Sequence, residues 1–338
     1  MRERKRNFAS PATWVVCVAA SAAIGLGATG TILAALATVV TTSTAETTEN
    51  STMEDFAAET RTWQEEREAS LRSRDGWLSI AGFAWLDPGE TTLGSGSEPR
   101  LPLPDESLPP IAATITVSRN DSLTYTLRAD ASGVVHVGDQ TLAAGESVPL
   151  LSDASGSATK FTLGRVTAWV LERGGNPALR LKDPESPLFD QLQGLDFFPI
   201  DPSWVVNAKF ERFAEPVQME VPSVLGYIDT TSCYGKVVFE RDGIRHAFWP
   251  MSGSADDPDL FLVFSDGTSG TATYGGGRFL VATAEEDGTV KLDFNRAYNP
   301  PCAYNPFTTC PLPPKQNEVE FPIEAGEKVP KMAEAVRH

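Results

Sequence analysis

Residues 161–182 read FTLGRVTAWVLERGGNPALRLK, and this stretch decides the fold class. Apolar residues alternate with others in three short runs of this stretch, which are Phe161 to Leu163, Val166 to Leu171 and Ala178 to Leu181. Glycine, proline and charged residues separate the runs, as turns separate the strands of an antiparallel sheet. The stretch therefore predicts consecutive short β-strands.

The same pattern continues on both sides of this stretch. Turn signals recur roughly every 8–12 residues, which is typical of sandwiches and barrels. No regular βαβ alternation is present, so a Rossmann-type fold is disfavoured. The fold class is predicted to be mainly β, with a sandwich- or barrel-like body of two packed β units. The further runs are Ile115 to Val117, Leu123 to Leu127, Val134 to Val137, Val205 to Phe210, Lys236 to Phe239, Leu260 to Phe264, Phe279 to Val281 and Val290 to Phe294.

Three X-Pro breaks and a Phe197-Phe198-Pro199 cluster in the stretch from Lys182 to Pro202 predict a boundary between the two β units near residue 185. The predicted units are residues 76–185 and residues 186–338. Residues 46–75 are predicted to form a polar linker and then a short amphipathic helix over 53–73. The residues expected on one face of that helix are Met53, Phe56, Thr60, Trp63 and Leu71.

The N-terminus predicts a membrane segment. Residues 1–12 are rich in arginine and lysine, and residues 13–40 contain no charged residue. About 20 apolar residues span a bilayer, so a single-pass anchor through 13–40 is favoured over a secretory signal cut near Ala45. Because a basic flank stays in the cytoplasm, both interpretations place residues 46–338 outside it.

The charge balance excludes several partners. Four of the 28 basic and one of the 45 acidic residues precede Glu46, which leaves 24 basic against 44 acidic side chains. Such an excess of negative charge argues against nucleic acid and against adsorption to anionic lipid. Three histidines in the whole chain argue against a multi-histidine metal site, and no cofactor is predicted.

Standard catalytic motifs are absent or lie in the wrong context. There is no Gly-x-Ser-x-Gly, because Thr271 follows Gly267 and Ser269 where a glycine is required. A Ser-x-x-Lys match at Ser157 to Lys160 lies in a composition typical of a β-turn. Gly275-Gly276-Gly277 precedes a strand, which indicates a bulge or a close backbone approach rather than a phosphate loop.

Polar and aromatic residues cluster in the C-terminal part of the chain. We predict a small-ligand pocket there, in which Arg278 binds a carboxylate or phosphate and Asp266 or Asp293 acts as a base. In the structural alternative, Arg278 pairs with Asp293 or Asp266 inside the fold. The candidate ligand residues are Asp266, Thr268, Tyr274, Arg278, Asp293, Asn295, Tyr298 and Asn299.

The segment from Ala297 to Pro314 is rich in proline and asparagine, which predicts an extended loop whose backbone is satisfied by side chains such as Asn295 and Asn299. Cys302 and Cys310 lie in it. In an exported domain a local disulfide between them is favoured. A metal site and a pair of reduced, buried thiols are the alternatives, and Cys233 is expected to be buried as a small apolar residue.

Long stretches of this sequence resemble the uncharacterised family grouped as "domain of unknown function 1684", and the resemblance covers most of residues 63–330. It implies no established activity. Many members look soluble and lack an export segment, and a cysteine pair shared with them makes a disulfide less natural. The matching stretches are Gly76 to Leu78, Gly82 to Glu90, Leu181 to Asp183, Gly194 to Pro199, Asp266 to Thr268, Gly277 to Leu280, Leu292 to Asn295, Tyr298 to Cys302 and Cys310 to Pro314.

Pro88 to Leu103 also resembles the start of a forkhead-associated sandwich, which implies a β-sandwich for residues 76–185. Phosphothreonine binding is not implied, because Ser95 follows Gly94 where that fold needs an arginine. The sequence does not establish whether the protein is an enzyme. The predicted function is a membrane-anchored, extracytoplasmic β protein with a small-ligand pocket, and the alternatives are a non-catalytic cell-envelope interaction domain and a carboxylate-based hydrolase.

Overall fold

A computed structural model of the protein describes residues 53–97, 100–251 and 256–333. β-Strands dominate these ranges, which confirms the prediction of a mainly β protein. None of the helices in the ranges combines the length and hydropathy that a membrane crossing requires. The predicted membrane segment, residues 13–40, lies outside the described residues.

Eleven strands lie between residues 76 and 185, which we call the first β part. They are β1 (Ile80–Trp85), β2 (Gly89–Gly94), β3 (Leu101–Pro102), β4 (Ala113–Arg119), β5 (Leu123–Ala129), β6 (Val135–Val137), β7 (Gln140–Thr141), β8 (Ser147–Leu150), β9 (Phe161–Leu163), β10 (Val166–Arg173) and β11 (Asn176–Lys182). A six-stranded sheet has the order β1-β11-β10-β9-β6-β7, and a five-stranded sheet has the order β3-β2-β4-β5-β8. Apolar side chains from both sheets form one hydrophobic cluster.

The hairpin of β10 and β11 follows from its turn. Gly174 and Gly175 both have positive φ, 54° and 74°, and Arg173 pairs with Asn176 across them. A two-residue turn with positive φ at both positions matches the twist of the flanking strands. Strand β11 then lies between β1 and β10 and is buried on both faces, which explains its nearly continuous apolar run.

The remaining strands belong to what we call the second β part, residues 186–333, after the one-turn helix α2 (Leu188–Gln191). They are β12 (Leu192–Gly194), β13 (Val205–Pro222), β14 (Ile228–Arg241), β15 (Ile244–Phe248), β16 (Asp259–Phe264), β17 (Arg278–Thr283), β18 (Thr289–Asp293) and β19 (Lys331–Met332). A four-stranded sheet has the order β15-β14-β13-β18, β16 pairs with β17, and β12 pairs with β19. The four-stranded sheet and the β16–β17 pair share a second hydrophobic cluster.

Strand β13 is much longer than the run Val205 to Phe210 that predicted it. Its register with β14 shifts between Arg212 and Val217, and Pro216 lies inside the shift. Proline has no N–H to donate to the ladder, so pairing is interrupted there and resumes beyond it. The alternating pattern could not show that one strand continues across the proline.

The helix predicted for 53–73 is present over residues 53–71, which we call α1. Leu71 has no exposed surface and packs with Leu78, Leu188 and Tyr304 in a separate cluster that draws on both β parts. Burial of one such leucine stabilises the fold by roughly 1.5–3 kcal/mol. From Met53 onward the described residues form one compact unit, and the boundary near residue 185 stays a prediction.

Candidate functional site

Arg278, at the start of β17, has no exposed surface, and its partners lie inside the fold. Its Nη2 atom is 2.8 Å from Oδ2 of Asp266 and donates to the carbonyl oxygen of Ile323 at 2.8 Å, while Nη1 donates to the carbonyl of Ala325. Oδ1 of Asp266 accepts the backbone N–H of Thr268 at 2.8 Å and its hydroxyl at 2.6 Å. The geometry is that of the structural alternative, in which Arg278 and Asp266 form a buried ion pair.

Asp293 and Asn295 form a second, separate network. Oδ1 of Asp293 accepts from the backbone N–H of Asn295 at 3.1 Å and from its Nδ2 atom at 3.0 Å. Asn295 also bonds both backbone polar groups of Asp201, at 2.9 Å each. These side chains thus hold a loop before β13 against the end of β18, and ligand binding by them stays a prediction.

Asn299 belongs to a third network, together with a buried carboxylate. Oε2 of Glu327 accepts the backbone N–H of Asn299 at 3.1 Å, and Oε1 accepts from Nδ2 at 3.0 Å. Arg67 of α1 donates to the carbonyl oxygen of Asn299 at 2.9 Å and lies 3.6 Å from the Glu327 carboxylate. Burial raises the pKa of Glu327 to about 6, against the opposing effects of Arg67 and Asn299.

A cavity of about 350 Å³ lies between α1 and the two β parts, and both parts contribute to its wall. Its wall contains four aromatic residues and three arginines. Tyr298 and Cys310 are the predicted site residues that line it, whereas Arg278 and Asp266 do not. The lining residues are Arg67, Trp77, Arg173, Arg180, Phe261, Phe279, Tyr298, Pro301, Thr308, Thr309, Cys310 and Pro311.

Arg180 is the residue that distinguishes this cavity from a packing defect. It lies in the middle of β11, is only 6% exposed, and lines the cavity. Its Nη2 atom donates to the hydroxyl of Thr309 at 3.1 Å, and its Nε atom has no hydrogen-bond partner among the described residues. No carboxylate in the described part of the chain forms an ion pair with it, although buried charges are normally paired.

The electrostatic surroundings of Arg180 add to the effect of the missing carboxylate partner. Burial, together with the neighbouring positive charge of Arg173, lowers the pKa of Arg180 to about 10. The guanidinium therefore remains charged at neutral pH and lacks a counter-ion of its own. An anion that enters the cavity would compensate for the lost hydration of the guanidinium and for the repulsion by Arg173.

The other two arginines of the cavity have acidic partners. Nη1 of Arg173 lies 2.7 Å from Oδ2 of Asp153, and Arg67 is held by Glu327 and the Asn299 carbonyl. The guanidinium of Arg67 also lies 4.8 Å from the centre of the Tyr298 ring, so its position is set from three sides. The cavity consequently carries one positive charge more than its acidic neighbours balance.

The two cysteines of the C-terminal loop lie against each other beside the cavity. Both are buried, and the backbone N–H of Cys302 donates to Sγ of Cys310 at 3.2 Å. The hydroxyl of Tyr274 lies 3.5 Å from the carbonyl oxygen of Cys302, and burial raises the pKa of that tyrosine. Cys233 is a buried thiol on β14, and the disulfide between Cys302 and Cys310 stays a prediction.

Sequence reasoning missed the arginines, which are the main polar groups of the cavity. Arg180 did leave a signal, because it is the charged residue in the run Ala178-Leu179-Arg180-Leu181 of a strand buried on both faces. Arg67 and Arg173 left none, since arginine is common on exposed helix faces and at strand ends. In the described part of the chain, no group of three or more His, Cys, Asp or Glu side chains is arranged to hold a metal ion.

The comparison with known proteins supports the family resemblance in the C-terminal part of the chain. The family described as "Protein of unknown function (DUF1684)" matches residues 190–328. A solution NMR structure of an uncharacterized protein of Haloarcula marismortui shares 31% identity, covering 40% of this chain and 76% of that chain, with a TM-score of 0.34. None of the curated proteins matches this chain.

Proposed function

This chain belongs to the DUF1684 family of proteins of unknown function, and from its cavity we propose that the protein binds a small organic anion. The observation that supports the proposal is the buried, unpaired charge of Arg180 in the cavity wall. An uncompensated buried charge destabilises a fold, so the presence of such a charge in the cavity wall favours a role in binding. Arginine is also suited to carboxylate and phosphate groups because its planar donors match two oxygens at once.

The aromatic residues of the cavity define the rest of the ligand. Four aromatic residues of the cavity wall offer flat apolar surfaces, namely Trp77, Phe261, Phe279 and Tyr298. Trp77 is 42% exposed, which leaves its indole available at the mouth of the cavity. A volume of about 350 Å³ lies at the lower end of the range typical of small-molecule sites, about 300–1,000 Å³. We therefore propose a ligand with one anionic group and a compact apolar body.

Calorimetric titration with a matched pair of probes tests the proposal. The probes are 4-phenylbutyrate and 4-phenylbutanol, which share the apolar body and differ in the charged group. A hydrogen bond to a charged group contributes roughly 1.5–3 kcal/mol, so the purified full-length protein should bind the carboxylate about tenfold or more tighter than the alcohol. Equal affinity for both probes, or binding of neither, would overturn the proposal.

Two variants separate binding from folding. Arg180→Met should abolish the preference for the carboxylate while leaving the free energy of unfolding unchanged or raised, because it removes an unpaired buried charge. Arg100→Met is the control, since Arg100 pairs with Asp87 on the surface and does not line the cavity. A loss of stability in Arg180→Met without any change in probe preference would assign Arg180 a purely structural role.

We also propose that residues 13–40 anchor the protein in a membrane and that the body from residue 46 onward is extracytoplasmic. The support is the uncharged segment that follows the basic N-terminus. Intact mass spectrometry of the protein from membranes should give the full-chain mass of 36.4 kDa, and protease added to intact spheroplasts should digest the body. A mass that lacks residues 1–45 would favour the secreted alternative, and protection from protease would contradict both.

A further inference from the structure

The second feature of the cavity is a pair of thiols at its wall. Cys310 is 4% exposed and lines the cavity, whereas Cys302 is completely buried behind it. Cys302 belongs to the 3-10 turn Pro301–Ala303, whose backbone N–H at Cys302 points at Sγ of Cys310 over 3.2 Å. Cys310 therefore forms part of the cavity wall, and Cys302 contacts it without lining the cavity itself.

The surroundings distinguish the two thiols chemically. A hydrogen bond from the Cys302 thiol, the Cys302 backbone N–H and the charge of Arg180 lower the pKa of Cys310, although burial opposes them. The same hydrogen bond, together with burial, raises the pKa of Cys302. These surroundings favour ionisation of Cys310 over ionisation of Cys302. A thiolate is the nucleophilic form of cysteine.

From this arrangement we propose that Cys310 reduces hydroperoxides in the cavity and that Cys302 is the thiol that resolves the product. The preference for hydroperoxides of organic acids rests on the proposed function, because Arg180 would hold their anionic group. Buried cysteines are otherwise inert. What sets this pair apart is that Cys310 lines the cavity together with Arg180 and that the backbone N–H of Cys302 donates to the Cys310 sulfur.

The chemistry balances in two steps. The Cys310 thiolate attacks the terminal oxygen of R–O–O–H, the S–O bond forms, the O–O bond breaks, and the leaving alkoxide takes a proton from solvent at the cavity mouth to become an alcohol. Sulfur is oxidised by two electrons to a sulfenic acid as the peroxide is reduced. The Cys302 sulfur then attacks the Cys310 sulfur, water leaves, and a disulfide forms. An external dithiol restores both thiols by exchange.

The test uses the reduced full-length protein with cumene hydroperoxide and with its para-carboxylate, followed by mass spectrometric mapping of the peptides that contain Cys302 and Cys310. Both hydroperoxides should convert the pair to a disulfide. The Cys302→Ser variant should stop with one added oxygen on Cys310, which dimedone traps, and Cys310→Ser should leave Cys302 unmodified. Cys233→Ser is the control, because Cys233 lies on β14 away from the cavity.

The rates separate this inference from the proposed function. Wild-type protein should react about tenfold or more faster with the carboxylate than with the neutral hydroperoxide, and Arg180→Met should remove that ratio. Equal rates with both reagents would contradict the anion site and leave the dithiol chemistry standing. The inference would be overturned if Cys302 and Cys310 stay reduced in the presence of both hydroperoxides, or if Cys302 is oxidised before Cys310. The proposed function would still stand in either case if the protein binds 4-phenylbutyrate.

Discussion

Arg278 and Arg180 are both buried arginines, and their surroundings differ. Arg278 has the Asp266 carboxylate and two carbonyl oxygens around its guanidinium, whereas Arg180 has one hydroxyl and a like charge nearby. A guanidinium that is paired with a buried carboxylate holds segments together, and one without a carboxylate is available to an anionic ligand. We therefore propose the ligand-binding role for Arg180, whereas the sequence predicted that role for Arg278.

The partnered arginine yields a stability prediction. Arg278→Met should lower the free energy of unfolding by roughly 3–5 kcal/mol, because the Asp266 carboxylate would remain buried without its partner. Urea denaturation measures the loss, with the exposed Arg100→Met expected to change stability by less than about 1 kcal/mol. Adding Asp266→Asn to Arg278→Met should recover part of the loss, since it removes the unpaired charge. A variant as stable as wild type would show that the pair contributes little.

The Glu327 carboxylate yields a prediction of pH dependence. Its pKa rises from 4.5 to about 6 in the folded protein, so the folded state holds the proton more tightly than the unfolded state. The stability due to this proton is present below pH 4.5 and is lost as the pH rises through 6, a change of about 2 kcal/mol. The difference in unfolding free energy between Glu327→Gln and wild type should shift by that amount in favour of the variant between pH 4 and pH 7.5. A difference that does not vary with pH would contradict this assignment.

At the scale of elements, the glycine run before β17 shows which of its positions requires glycine. Gly277 has a φ of +82°, and a Cβ atom there would lie 2.5 Å from the carbonyl oxygen of Phe264 and 2.5 Å from Cγ of Pro313. Gly275 has no positive φ and no atom within 3.6 Å of such a Cβ. The close backbone approach predicted for the run therefore applies to Gly277 and not to Gly275.

This contrast predicts unequal effects of the same substitution. Gly277→Ala should lower the free energy of unfolding by about 2–4 kcal/mol, because it combines backbone strain with a steric clash. Gly275→Ala should stay within about 1 kcal/mol of wild type, since only its conformational entropy changes. Urea denaturation of both variants checks the prediction, and equal losses would mean that the turn can relax around either methyl group.

At the scale of the whole molecule, the side chain of Asn305 joins the C-terminal loop to the first β part. Asn305 has no exposed surface, and its Nδ2 atom donates to the carbonyl oxygens of Trp77 at 2.8 Å and Ile80 at 2.7 Å. Its Oδ1 atom accepts the backbone N–H of Phe307 at 2.8 Å. One side chain thus satisfies three backbone groups from two distant segments and fixes the 3-10 turn Trp77–Ser79, which precedes β1 and carries Trp77 at the cavity.

Asn305→Asp tests this junction with almost no change in volume. The carboxylate cannot donate to the two carbonyl oxygens, and it places a charge in a buried site, so we expect a loss of about 3 kcal/mol or more. The exposed Asn120→Asp is the matched control, with an expected change within about 0.5 kcal/mol. The affinity for 4-phenylbutyrate should fall in Asn305→Asp as well. Unchanged stability would show that the two β parts are held together elsewhere.

The sequence by itself determined the fold class, helix α1 and the lack of long helices and interior strands in the loop with Cys302 and Cys310, although that loop contains the 3-10 turn Pro301–Ala303. These depend on local periodicity, glycine turns and proline, which act over a few neighbouring residues. The structure confirmed the mainly β character, and the family model confirmed the family.

Only the tertiary structure decided which residues meet. Arg67, Arg180 and Cys310 come from α1, β11 and the C-terminal loop, and packing brings them to one cavity. It likewise placed Arg278 against Asp266 rather than Asp293. The physical reason is that a charged side chain has the same local signature whether or not a partner from a distant segment neutralises it. Pairing and burial therefore emerge only when the segments are packed together.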